Sequence, residues 1–166
     1  MLDRILIDSQ AFAEKGETLQ GQVLLKDLDT RVLSSDIVDD SAAVSYHIQG
    51  GLDKWQRPFF DLSLSGSILL RCQRCLGEMP FALEEDCRIV LFDNEDELDK
   101  AMLADEELDG MLVESECDVF SLLEDQILMA LPFSALHDAC DDADLTASNQ
   151  DKPNPFAVLA GLKKSD

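Results

Sequence analysis

Residues 58–92 have the sequence PFFDLSLSGSILLRCQRCLGEMPFALEEDCRIVLF. Apolar and polar residues alternate at both ends of this stretch, which predicts strands over 58–71 and 81–92, with Gly66 as a candidate bulge. The centre runs from Cys72 to Gly77 and is followed by Pro80, a composition that predicts a tight turn. The stretch therefore predicts one long β-hairpin with two cysteines at its tip.

Two shorter alternating runs precede this hairpin. Residues 18–25 and 42–49 predict two further strands, and Gly50-Gly51 predicts a turn after the second of them. Residues 26–35 carry leucine and valine at a spacing that predicts a helical turn. Because consecutive alternating strands with short connections favour antiparallel pairing, we expect an antiparallel β-meander.

Two segments have helical patterns. Residues 119–131 place apolar side chains at i, i+3, i+4 and i+7, with Asp118 as the N-cap and Pro132 as the end. A shorter helix is predicted over 9–15, capped by Asp8. The sequence therefore predicts an α+β fold, in which the 119–131 helix covers the apolar face of the β-meander.

The chain is strongly acidic. Its 166 residues include 13 Lys and Arg against 35 Asp and Glu, which gives a formal net charge of -22. A protein that binds RNA non-specifically neutralises phosphates with basic residues, so this composition excludes a broad basic groove for RNA. It favours a basic protein as the partner, because opposite charges speed the encounter of two proteins.

The composition also predicts how the chain is divided. We expect a single α+β domain over 1–140, with an exposed acidic loop at 93–116, where like charges disfavour compact packing. Residues 141–154 are polar and lack periodicity, which predicts a flexible linker. Residues 155–164 predict a short helical motif, with Asn154 as its N-cap and Pro155 as its first residue.

Two pairs of residues have the spacing of metal ligands. Cys72-x-x-Cys75 and His137-x-x-Cys140 together would form a Cys₃His zinc site, with Gly77 letting the backbone turn beneath the metal. Two other interpretations of these thiols stay open, namely a redox dithiol and reduced cysteines packed in a turn.

Arg71 and Arg74 flank the cysteine pair in a chain that has few cations. They are candidate contacts for RNA phosphate or for an acidic group of a partner. The alternative is that they pair with nearby acids such as Glu78, Glu84 or Glu85.

The C-terminal motif has the features of a docking peptide, which are a capped short helix and an apolar face beyond a linker. The alternative is that it folds back on its own domain. The predicted partner-binding residues are Asn154, Pro155, Phe156, Leu159, Leu162 and Lys163.

The sequence contains none of the common catalytic motifs, such as GxSxG, the P-loop, GxGxxG or HExxH. Besides His137 the only histidine is His47, which is predicted to be a structural residue of a strand. No apolar run is long enough to span a membrane, and the N-terminus lacks a signal peptide pattern. We therefore expect a cytoplasmic protein with no enzymatic activity and no membrane partner.

Three stretches resemble the family of large ribosomal RNA subunit accumulation proteins, YceD. They are CQRC at 72–75, EDQILMALP at 124–132 leading to His137-Asp138, and KPNPFAVLAGLK at 152–163. The resemblance implies a bacterial cytoplasmic factor that large-subunit (23S) ribosomal RNA requires for its synthesis, processing or accumulation. It implies no catalytic residue.

Resemblance and charge together predict a non-enzymatic ribosome-biogenesis factor. Its expected partner is a basic ribosomal or ribosome-assembly protein, and its contact with ribosomal RNA is expected to be limited or indirect. Two alternatives remain: a zinc- or thiol-dependent RNA-binding module centred on the CxxC turn, and a ribosomal RNA maturation enzyme whose acidic loop holds magnesium.

Overall fold

The computed structural model describes residues 4–33 and 36–140. A 3₁₀ turn at Leu25–Asp27 follows the strand Thr18–Leu24. None of the helices in these residues is long and apolar enough to cross a membrane. In chain order the elements are β1 (Leu6–Ile7), α1 (Ser9–Glu14), β2 (Thr18–Leu24), β3 (Ala43–Leu52), β4 (Pro58–Arg71), β5 (Glu78–Phe92), α2 (Glu95–Ala104), β6 (Asp109–Leu112), β7 (Cys117–Asp118) and α3 (Val119–Ala130).

The predicted hairpin is the longest strand pair of the described chain. Strands β4 and β5 pair in antiparallel register from Phe59↔Val90 to Arg71↔Glu78. The main sheet has the order β2-β3-β4-β5-β6, and its first four strands form an antiparallel meander. The α+β prediction is therefore confirmed. The structure adds a parallel edge strand, β6, and a separate two-stranded pair of β1 with β7.

Three local predictions about glycines and turns are wrong. Gly50 and Gly51 lie inside β3, where a Cβ on Gly50 would come within 2.5 Å of the Phe12 carbonyl oxygen. Glycine is required here because the backbone of α1 packs directly on the strand. Gly66 pairs in continuous register with both neighbouring strands and forms no bulge. Residues 26–33 contain the end of the 3₁₀ turn, a bend at Leu28 and a short turn in which the Val32 amide donates to the Asp29 carbonyl, in place of an α-helical turn.

The acidic segment 93–116 is not the predicted loop. It contains helix α2 and strand β6, and the Asn94 side chain caps α2 by accepting a hydrogen bond from the Glu97 amide. The acids at positions 95–97 occupy the first turn, where negative charge interacts favourably with the helix dipole. Helix α2 buries none of its residues, so its charges remain solvated.

Helix α3 covers the apolar face of the sheet, as predicted. Leu123 and Ile127 are fully buried in the same core cluster as Phe60 and Leu62 of β4. The Asp118 side chain caps the helix by accepting a hydrogen bond from the Phe120 amide. The position of α3 is therefore determined by core packing at its centre and by a cap at its start.

A buried carboxylate joins α3 to the segment between β2 and β3. Glu124 is 1% exposed and accepts hydrogen bonds from the Asp29 amide at 2.9 Å and from Arg31 Nη2 at 3.0 Å. Removing the arginine that pairs with a buried carboxylate destabilises a fold, because the remaining negative charge is then less well compensated in the interior. This contact therefore holds residues 29–31 against the helix.

We predict that Arg31→Ala lowers the stability of the domain more than Arg88→Ala does. Arg31 neutralises a buried carboxylate, whereas Arg88 pairs with Asp61 where both side chains are about half exposed. Urea unfolding should therefore show a lower midpoint for Arg31→Ala, with Arg88→Ala close to the unmodified protein. Equal midpoints for the two variants would contradict this role of Glu124.

Candidate metal centre

The tip of the β4–β5 hairpin carries the first two candidate ligands. Cys72 follows β4 directly, and its amide donates to the Gly77 carbonyl at 2.8 Å, which closes the turn. Within this turn the residue with left-handed backbone is Leu76, at φ 61°. Cys72 is fully buried and Cys75 is exposed. The turn thus places one sulfur inside the protein and one at its surface.

The other two candidates lie in the segment that follows α3. This segment returns to the hairpin tip, where the Gln73 amide donates to the Ala135 carbonyl at 2.8 Å. The Ser134 hydroxyl donates to Gln73 Oε1 at the same distance. Since Ala135 is 3% exposed, the segment is anchored in the core as well as to the turn. These contacts bring His137 and Cys140 next to the cysteine pair.

The four predicted ligands meet at one point. Their ligand atoms all lie within 4.8 Å of one another. The Cys75 Sγ–His137 Nδ1 distance is 3.3 Å, the Cys72 Sγ–Cys140 Sγ distance is 3.5 Å, and the Cys140 Sγ–His137 Nδ1 distance is 3.7 Å. A tetrahedral zinc with Zn–S of about 2.3 Å and Zn–N of about 2.0–2.1 Å separates its ligand atoms by about 3.5–3.8 Å. The cluster can therefore hold a metal ion.

The histidine ring is oriented by its second nitrogen. His137 Nε2 lies 3.1 Å from the Glu78 carbonyl oxygen. The tautomer that donates from Nε2 to this carbonyl leaves the lone pair of Nδ1 directed at the sulfurs. A backbone carbonyl in this role is typical of histidines that ligate metals.

The electrostatics of the cluster favour a bound cation. The backbone amide of Cys75 donates to the Cys72 sulfur, and this is the main cause that lowers the pKa of Cys72 to about 5. Burial and the neighbouring sulfurs have the opposite effect on Cys140 and raise its pKa to about 11. The thiols therefore cannot all ionise together while no positive charge lies among them. A metal cation would remove this repulsion.

The two remaining cysteines lie outside the cluster. Burial is the main cause that raises the pKa of Cys87 and of Cys117 to about 11. The Cys87 thiol donates to Gln126 Oε1 at 3.4 Å. Both thiols are therefore protonated at neutral pH.

Arg71 and Arg74 are exposed beside the cluster. Neither forms an ion pair with an acidic side chain of residues 4–33 or 36–140, so the expected pairing with Glu78, Glu84 or Glu85 is absent there. Phe133, in the segment after α3, is completely exposed. No pattern in the sequence indicates that this ring is exposed, because a phenylalanine after a helix-ending proline is equally typical of a core residue.

The remaining residues singled out in the sequence are His47 and those of the C-terminal segments. His47 lies half-buried in β3, opposite Gln20 and Ser63, in agreement with a structural role. The predicted linker 141–154 and the motif 155–164 lie outside the described residues. The same holds for the predicted partner-binding residues Asn154, Pro155, Phe156, Leu159, Leu162 and Lys163.

Comparison with known proteins finds a family and no solved structure. No solved structure matches the chain. The family model described as "Large ribosomal RNA subunit accumulation protein YceD" matches residues 60–163, which is more than half of the chain and includes all four residues of the cluster. The chain therefore belongs to the YceD family of large ribosomal RNA subunit accumulation proteins.

Proposed function

We propose that this protein is a non-enzymatic ribosome-biogenesis factor whose fold is completed by a structural zinc ion. Its family is named for the accumulation of large-subunit ribosomal RNA, a description that specifies no reaction. The observation that carries the proposal is the convergence of Cys72, Cys75, His137 and Cys140 within 4.8 Å.

The donor set favours zinc over other cations. Magnesium and calcium prefer oxygen ligands, whereas thiolate and imidazole together are typical of zinc. Four protein donors would complete a tetrahedral coordination sphere, which leaves no position for a catalytic water. The donor set therefore supports a metal that stabilises the fold, with the ion bound by four side chains.

The ion would connect two parts of the chain that are distant in sequence. Cys75 belongs to the hairpin tip and His137 to the segment after α3, and the two are 62 positions apart in the sequence. Metal binding couples directly to folding, because only the folded chain brings the four ligands together. We infer that zinc holds the segment 132–140 in one conformation against the turn.

The partner is proposed to be a basic ribosomal or ribosome-assembly protein. With a formal net charge of -22 the protein attracts positive surfaces and repels a phosphate backbone. Within the described residues, most arginines already serve internal ion pairs, as Arg4, Arg31, Arg57 and Arg88 do. Residues 154–163 are proposed to contribute to the contact with this partner.

One observation favours a second candidate, an RNA-binding module centred on the CxxC turn. Arg71 and Arg74 flank the hairpin tip, and the fully exposed Phe133 belongs to the segment that contacts this tip through Ala135. Aromatic rings and arginines together are typical of sites that bind single-stranded RNA. Binding of purified protein to a ribosomal RNA fragment that weakens steeply with salt, and is lost in Arg71→Ala/Arg74→Ala, would favour this candidate.

We predict that the purified protein contains about one zinc ion per chain. Cys75→Ser removes an exposed ligand and should abolish zinc binding, whereas the matched variant Cys87→Ser lies outside the cluster and should retain it. Chelation should lower the melting temperature of the unmodified protein, because the ion is bound only in the folded state. Metal-free protein with unchanged stability would exclude the zinc site.

We also predict that the zinc site is needed in cells. In a strain that lacks the endogenous protein, Cys87→Ser should restore the level of large-subunit ribosomal RNA, and Cys75→Ser should not. The level of small-subunit ribosomal RNA in the same extract is the internal reference. If both variants restore the large-subunit RNA equally, the metal is not required for the proposed function.

A further inference from the structure

A groove runs along α3 on the side of β6. Its wider part has a volume of about 510 Å³ and lies between the helix, the parallel edge strand and α2. Most of its lining is apolar, and three of the lining residues are methionines. The apolar side chains that line this part are those of Ile89, Met102, Met111, Leu122, Leu128 and Met129.

The groove continues into an acidic part. A second cavity of about 330 Å³ shares Met111, Leu122 and Asp125 with the first, so the two form one groove. The acidic part is lined by Glu114 and Glu116, which form no ion pair with any side chain in residues 4–33 and 36–140. No lysine or arginine is among the described residues that line either part.

Two methionine side chains in the apolar part of the groove are exposed to solvent. Met129 is 70% exposed and Met102 is 46% exposed, although both line the groove. Burying apolar surface stabilises a complex, and methionine side chains adapt readily to an apolar ligand. The groove therefore fits a segment with apolar side chains followed by positive charges.

The chain itself contains a segment with this pattern. Residues 155–164 have the sequence PFAVLAGLKK, in which apolar side chains precede Lys163 and Lys164. The segment therefore offers apolar side chains for the methionine part of the groove and positive charges for its acidic part. We propose that residues 155–164 dock in this groove of their own chain, with Phe156 and Leu159 among the methionines and the lysines near Glu114 and Glu116.

The length of the connecting chain permits this contact. Fourteen residues separate Cys140, the last described residue, from Pro155, and an extended chain covers about 3.3–3.6 Å per residue. The connection can thus reach about 45–50 Å, while a domain of about 140 residues has a radius of gyration of about 14 Å. Attachment to the same chain also gives the segment an effective concentration in the millimolar range, which favours docking in cis.

This inference concerns the isolated protein and does not depend on zinc. The proposed function assigns the same C-terminal residues to a partner. A partner that binds them must therefore displace them from the groove, which at the same time exposes the methionines. The groove then holds the docking segment while no partner is bound.

Methionine methyl NMR on the full-length protein tests the proposal. In Phe156→Ala, loss of the aromatic ring should shift the methyl resonances of Met102, Met111 and Met129. The resonance of Met79, which lies in β5 and outside the groove, should not move. Leu159→Ala should shift the same three resonances, and Trp55→Ala, which removes an exposed ring in the β3–β4 turn, should shift none of them.

Three results would overturn the proposal. Groove resonances that are identical in Phe156→Ala and unmodified protein would show that the segment is not in the groove. A shift of Met79 together with the others would show that the segment packs into the core. Groove resonances of the unmodified protein that change on tenfold dilution would show docking on a second copy. The zinc and cellular experiments above report on the proposed function separately.

Discussion

The packing of α3 on the β4–β5 hairpin is the interaction on which the rest of the structure depends. Leu123 and Ile127 are buried against the sheet, and between them Glu124 binds the Asp29 amide and Arg31. Because the helix is held at this depth and orientation, the segment after it returns to the hairpin tip. The candidate metal centre is a consequence of this packing, since two of its ligands follow α3.

The metal centre and the acidic surface suggest how the protein works. Four protein donors would complete the coordination of a zinc ion, so the chemistry of the site favours a rigid shape over a reaction. The surface around this shape carries a large excess of carboxylates and few unpaired cations among the described residues. Such a shape and charge are the physical basis of the proposed contact with a basic partner.

The sequence predicts the bounds of a strand or helix well where one local pattern dominates. Alternation predicted β4 at Pro58–Arg71 with the same bounds, and helical spacing with a cap and a proline predicted α3 within one residue. The four ligands could be named because CxxC and HxxC spacings are local, although their meeting depends on the fold. The prediction of a loop at 93–116 is wrong because the Asn94 cap and the acidic first turn stabilise a helix there, although the density of like charges disfavours packing. The prediction of a turn at Gly50-Gly51 is wrong because these glycines make room for tertiary contacts, with α1 at Gly50 and with the Phe59 ring at Gly51. The methionine groove could not be predicted at all, since it requires the parallel pairing of β6 with β5.

The proposed zinc ion lies at the hairpin tip, where three thiolates and one imidazole would hold it. X-ray absorption at the zinc edge of the purified full-length protein reports its ligands. We expect three sulfur ligands at about 2.3 Å and one nitrogen ligand at about 2.0–2.1 Å, with no bound water. A first shell of oxygen and nitrogen atoms alone would contradict it, because the ion would then lie outside the cluster formed by Cys72, Cys75, His137 and Cys140.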